Sequence, residues 1–145
     1  MTTVLVDVAN VVGSRPDGWW RDRAGATTRL LDRLAGLVGT APAGPHGDPV
    51  PVVALVAVVE GRARDVPAPD GVRVVRAAAS GDDTLAALAH DLADGDDDLL
   101  VVTADRGLRD RLPATARVTG PGWLLAAAPP PAAEDRRGNS RPPGA

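Results

Sequence analysis

Hydrophobic positions along this chain fall into compact blocks separated by polar, Gly- and Pro-rich connections. Four blocks are short and nearly continuous, covering residues 4–13, 50–59, 72–75 and 99–103, with Val, Leu and Ala dominating. Such runs predict strands buried on both faces, as in a parallel sheet covered by helices on each side. Pro51 stands near the start of the second run, where a missing amide is tolerated. Between the runs the period changes. Leu30, Leu31, Leu34, Leu37 and Val38 recur at helical spacing and predict a helix over 24–38, ended by Gly39. Leu85, Leu88, Ala89 and Leu92 predict a second helix, with Ser80 or Asp82 as its N-cap. A short helix is expected over 108–112. Residues 117–119 and 123–125 are expected as an edge strand kinked at Gly120-Pro121-Gly122. Residues 14–23 read as a loop.

Strands alternating with helices predict an α/β fold: a single-domain, Rossmann-like three-layer α/β/α arrangement with a mainly parallel sheet. In open sheets of this kind ligands bind outside the carboxyl ends of the strands. Polar residues interrupting the apolar runs at those ends therefore carry the candidate chemistry. Asp7 and Asn10 lie where the first run stops, Glu60 follows the second, and Asp105 follows the fourth. Asp82 and Asp83 open the second helix, where capping accounts for at least one of them. Asp82 is placed on the helix side facing the sheet. Glu60 is assigned to a surface loop rather than to ligation.

Composition narrows the picture. With 145 residues the chain has the length of one domain, set at 1–128. Residues 129–145, rich in Pro and Arg with almost nothing large and apolar, are expected to form a disordered tail. No cysteine is present, which excludes disulfides and thiolate metal sites. There is no signal-peptide pattern and no apolar run long enough for a membrane span, so a cytoplasmic protein is expected. The net charge of −3 argues against a strongly basic nucleic-acid binder. All 16 basic residues are Arg, Phe and Tyr are absent, and the bias toward Ala, Gly, Val, Pro and Asp reflects a GC-rich coding sequence. Trp19 and Trp20, flanked by Arg15, Arg21 and Arg23, could form a stacking platform for bases. Trp19 or Trp20 anchoring the loop to the domain is the favoured reading.

Asp7, Asp82 and Asp105 converge on one edge in the predicted fold. Without Lys to neutralise them, hard divalent cations with oxygen ligands are the natural counter-charge. The chain lacks the Gly-x-Gly-x-x-Gly and Gly-x-x-x-x-Gly-Lys-Ser/Thr phosphate loops and the Gly-x-Ser-x-Gly elbow. The Asp-rich segment 94–98 lacks the ligand spacing of an EF-hand and reads as a solvated turn.

Val6-Asp7-Val8-Ala9-Asn10-Val11 resembles the first-strand Asp-x-x-Asn motif of NYN domains, the branch of PIN-like nucleases that includes the YacP-like proteins. Gly81-Asp82-Asp83-Thr84-Leu85 resembles their central acidic motif. Val102-Thr103-Ala104-Asp105-Arg106-Gly107-Leu108 resembles their Thr-x-Asp-Arg strand end, and the resemblance covers about residues 3–125. It implies a metal-dependent endoribonuclease using Mg²⁺ or Mn²⁺. Asp7, Asp82 (or Asp83) and Asp105 would be the metal ligands, Asn10 a supporting site residue, and Thr103, Asn10 and Arg106 substrate contacts. Arg106 pairing with Asp110 is an equal alternative. RNA is the implied partner, while a homodimer, a ribosomal partner and toxin–antitoxin pairing are left open. Two other readings remain: a non-catalytic RNA- or protein-binding module of the same fold, and a phosphohydrolase acting on nucleotides or small phosphoesters.

Overall fold

A computed structural model describes residues 1–15 and 18–129, together with the backbone but not the side chain of Arg62. The expected tail therefore lies outside the described residues, except for Pro129. Five strands form one sheet: β1 (Thr2–Asp7), β2 (Val52–Val59), β3 (Val72–Arg76), β4 (Asp98–Val102) and β5 (Arg117–Thr119). Their order is β3-β2-β1-β4-β5 and every pairing is parallel. The helices are α1 (Val8–Gly13), α2 (Arg23–Ala35), α3 (Gly81–Ala93), α4 (Arg106–Arg109) and α5 (Pro121–Ala127).

Alternation along the central strands explains their nearly continuous hydrophobicity. Val4 and Val6 of β1, Leu55, Ala57 and Val59 of β2, and Leu100 and Val102 of β4 join one core with Leu30, Leu31 and Leu34 of α2 and Leu124 of α5. Leu5, Val56, Val58, Leu99 and Val101 face the other way, onto Leu85, Ala86 and Ala89 of α3 and Leu108 of α4. Both faces of the central strands are buried over most of their length, so their residues are apolar whichever way they point, while Arg73, Arg76 and Arg117 stand exposed on the edge strands β3 and β5. At ~0.8 kcal/mol per buried CH₂, these two cores are the dominant stabilising term.

Two expectations are corrected. The first apolar run does not continue as strand past Asp7, because the chain turns directly into α1, whose Val8, Val11 and Val12 are buried at helical spacing. Residues 123–125 are not strand either. They belong to α5, which starts with Pro121 in its first turn, where a missing amide costs nothing. A smaller difference is at α2, which ends at Ala35, with residues 36–39 forming a turn before Gly39 at φ 85°. Trp123 of α5 donates from Nε1 to the Ala43 carbonyl at 2.9 Å, tying the 40–50 connection to the domain. Arg33 of α2 donates to the carbonyls of Leu125, Ala128 and Pro129, satisfying the open end of α5.

The strand order places a topological switch between β1 and β4. From β1 the chain moves outward through β2 to β3, then crosses back to β4 on the opposite side of β1. The crevice outside the carboxyl ends of β1 and β4 is where such sheets bind ligands.

Candidate active site at the carboxyl edge of the sheet

Asp7 ends β1 and caps α1, its Oδ1 accepting from the Asn10 amide at 3.4 Å. Its Oδ2 accepts from the Thr103 hydroxyl at 3.0 Å. Thr103 directly follows β4, so this bond bridges the switch point. The same hydroxyl accepts from the Asp105 amide at 3.2 Å. Asn10 reinforces the bridge, its Oδ1 accepting from the Ala104 amide at 2.9 Å. Asp105 in turn caps α4 by accepting from the Leu108 amide at 3.0 Å. Arg109 closes the loop by donating Nε and Nη2 to the Thr103 carbonyl at 3.1 and 2.7 Å. The segment 103–105 is thus held from both ends, and the positions of Asp7 and Asp105 are coupled through one hydroxyl.

Thr103 is 0% exposed and its hydroxyl is committed to the two acids. That hydroxyl, expected from sequence to contact substrate, here holds the Asp7 carboxylate and the Asp105 backbone in place. Arg106 is exposed beside Asp105 and forms no ion pair with Asp110 among the described residues. Asp82 and Asp83 part company: Asp83 is an exposed partner of Arg111 at 2.8 Å, whereas Asp82 faces the charges of Asp105, Glu60 and Asp7.

Glu60, assigned to a surface loop from sequence, belongs to this edge. It follows β2 and its Oε2 accepts from the Gly81 amide at the start of α3. A Cβ on Gly81 would lie 2.8 Å from that oxygen, so glycine is what lets the carboxylate approach the helix. The signal was present in the sequence, since Glu60 follows a buried strand as Asp7 and Asp105 do.

These carboxylates oppose one another. Burial pushes Asp7 above the usual carboxylate range; the Thr103 and Asn10 hydrogen bonds oppose the shift, and the charges of Asp82 and Glu60 add to it. Asp82 is also raised, by loss of solvent and then by Asp105 and Glu60, with Arg111 opposing. Four acids from four places in the sequence therefore share one field of negative potential.

No family model matches this sequence, and no curated protein does. Comparison with solved structures gives a likeness to the crystal structure of a W164L mutant of Rae1 (YacP) from Bacillus subtilis. The TM-score is 0.62 over 87% of this chain and 74% of that one, at 18% identity. This chain has a YacP-like fold. The likeness agrees with the branch that the three acidic motifs resemble in sequence.

An all-oxygen donor set suits a hard divalent cation. Among the described residues, no three acidic or imidazole side chains close around one point as a finished metal cage. Mg²⁺ ordinarily takes only one or two protein carboxylates and keeps several waters. The mutual repulsion of Asp7, Asp82, Asp105 and Glu60 fits an ion bound in that partly hydrated way. Among the described residues no helix is long and apolar enough to cross a membrane.

Proposed function

We propose that this protein is a metal-dependent endoribonuclease that hydrolyses RNA phosphodiester bonds at the carboxyl edge of its sheet. The observation that carries the reading is the Asp7–Thr103–Asp105 bridge at the topological switch point, beside the like charges of Asp82 and Glu60. Turn caps alone would not need the like charges of Glu60, Asp82 and Asp105 to lie close enough to act on Asp7 and on one another. The YacP-like fold supports the reading, since the sequence motifs resemble the nucleases of that branch.

Asp7, Asp82 and Asp105 do not stand as one three-ligand group in this structure, so one or two of them would hold Mg²⁺ or Mn²⁺ with waters completing the shell, and Asp83 is left to its pairing with Arg111. The bound ion supplies a water of lowered pKa and a counter-charge for the phosphoryl oxygens. The chain's own residues do the positioning. Thr103 fixes the facing oxygen of Asp7 and the backbone of Asp105, Asn10 fixes the 104 amide, and Arg109 holds the loop beneath them. Exposed Arg106, adjacent to Asp105, is placed to meet a phosphate of the substrate. Glu60 adds a further carboxylate at the flank of the site.

The test is cleavage of an end-labelled single-stranded RNA by the purified protein with Mn²⁺ or Mg²⁺ present, against EDTA. Internal cuts that require the ion support the proposal. Intact RNA under both conditions, across several sequences, overturns it.

A further inference from the structure

A cavity of about 400 Å³ opens beside the acidic edge, between the first turns of α1, the start of α2 and the segments that follow β2 and β3. Val8, Val12, Trp19, Arg23, Glu60 and Ala79 are among its lining residues. Val8 directly follows Asp7, and Glu60 is shared with the acidic group, so the cavity and the carboxylates are neighbours along the same edge. Its character differs from that edge. The walls are mostly apolar, an indole contributes to them, and among the described residues the polar side chains are the Arg23 guanidinium, the Glu60 carboxylate and the Thr27 hydroxyl.

Trp19 and Trp20 do not form one continuous platform: their rings are 6.1 Å apart and nearly perpendicular, at 87°. Trp20 is 57% exposed, with the Arg21 guanidinium 5.9 Å from its ring centre. Trp19 is half-buried, packed over Gly13, with Arg23 at 5.1 Å from its ring centre. Trp19 thus anchors the loop and at the same time supplies an aromatic wall to the cavity.

We propose that this cavity is a subsite for one unpaired nucleobase of the RNA, next to the phosphate to be cut. Flat rings stack on indole and guanidinium planes, and single-stranded RNA is recognised chiefly by bases splayed into such pockets. The Glu60 carboxylate is an acceptor for a base amino or imino group. In the segments that follow β2 and close β3, Arg76 donates to the Arg64 carbonyl and Arg64 reaches the Ala78 carbonyl at 3.5 Å. These exposed guanidinium groups lie near the ends of β2 and β3, where they can meet neighbouring phosphates. The negative net charge of the chain thus coexists with a local arrangement suited to RNA: acids at the reacting phosphate, an aromatic pocket beside it and Arg along the rim.

This subsite rests on the nuclease reading for its purpose, but its test does not depend on cleavage. An rA pentamer and an abasic ribose-phosphate pentamer of equal charge are titrated by calorimetry into the protein in EDTA. The wild type is expected to bind the base-bearing oligomer at least about tenfold more tightly. Ala79→Leu, a change at an exposed lining position, fills the cavity and is expected to bring that ratio close to one; Trp19→Leu is expected to do the same. A wild-type ratio near one, no binding of either oligomer, or a ratio left unchanged by both variants overturns the subsite. Base-dependent binding without metal-dependent cleavage would uphold the pocket and defeat the nuclease reading. Cleavage without base preference would do the reverse.

Discussion

The hydroxyl of Thr103 stands between two acids, donating to Asp7 Oδ2 at 3.0 Å and accepting from the Asp105 amide at 3.2 Å. One buried oxygen therefore sets the spacing of the two carboxylate-bearing segments that end β1 and β4. Removing it leaves an acceptor and a donor without that partner at a part-buried position.

Thr103→Val keeps the shape and deletes that oxygen. The expected loss is about 1–3 kcal/mol of stability in urea unfolding, together with weaker Mn²⁺ binding, while Thr103→Ser should restore both. A Val variant as stable as wild type would show that the bridge holds nothing in place.

Asp7 gives the protein a pH signature. Its folded pKa is raised above the ordinary value of 3.8, so ionising it opposes folding. The penalty is absent below 3.8 and grows as pH rises from there through the folded value. Asp82 acts in the same direction but is more open to solvent, and its contribution is correspondingly smaller. The stability of Asp7→Asn relative to wild type is thus expected to improve as pH rises from about 4 to 7 in metal-free buffer. Saturating Mn²⁺ should stabilise the wild type in the same range. Melting curves across that range check this, and a difference that stays flat with pH contradicts it.

The two adjacent acids opening α3 separate by experiment. Asp83 is exposed and paired with Arg111 on the surface, so Asp83→Asn should change stability by less than about 1 kcal/mol and leave Mn²⁺ affinity alone. Asp82→Asn should weaken Mn²⁺ binding. Equal effects of the two substitutions on metal affinity would contradict the assignment.

Arg33 caps α5 from a distance in sequence, reaching three carbonyls at 2.9–3.3 Å. Arg33→Met retains the aliphatic stem and removes the donors. A loss of about 1–3 kcal/mol is expected, read as a lower melting temperature with cleavage chemistry intact. Unchanged melting would mean that these carbonyls are equally well served by water.

Much of the fold could be read from the residues because a sheet buried on both faces leaves a plain mark. The blocks ending at Val59 and at Val102–Thr103, and the helical spacing of Leu85, Ala89 and Leu92, map directly onto β2, β4 and α3. What failed was telling strand from helix inside an unbroken apolar run. Val8, Val11 and Val12 are at helical spacing, but inside so short an apolar run that spacing is masked, and the cap made by Asp7 to the Asn10 amide marks the helix start. At α5 the decisive signal is Pro-Gly-Trp-Leu-Leu-Ala-Ala from Pro121, a helix start whose Gly120 and Gly122 give it the local pattern of a kink. Within the site, the sequence pointed to Asp7, Asp82 and Asp105 but not to the partners that fix them. That Thr103 serves both acids, that Asp83 turns to Arg111 and that the Glu60 carboxylate reaches the Gly81 amide all depend on side-chain directions, which spacing alone does not give.

Asp105→Asn tests the central claim most directly. Asn caps a helix as well as Asp does, so the start of α4 and the fold should survive, while the negative charge is lost. Cleavage of labelled RNA by wild type and variant, measured in Mn²⁺ with matched melting temperatures, is the measurement. The account expects ion-dependent cuts by the wild type and a loss on the order of 100-fold in the variant. Equal cleavage by both proteins, or none by either, would contradict it and leave the carboxyl edge as a set of helix caps.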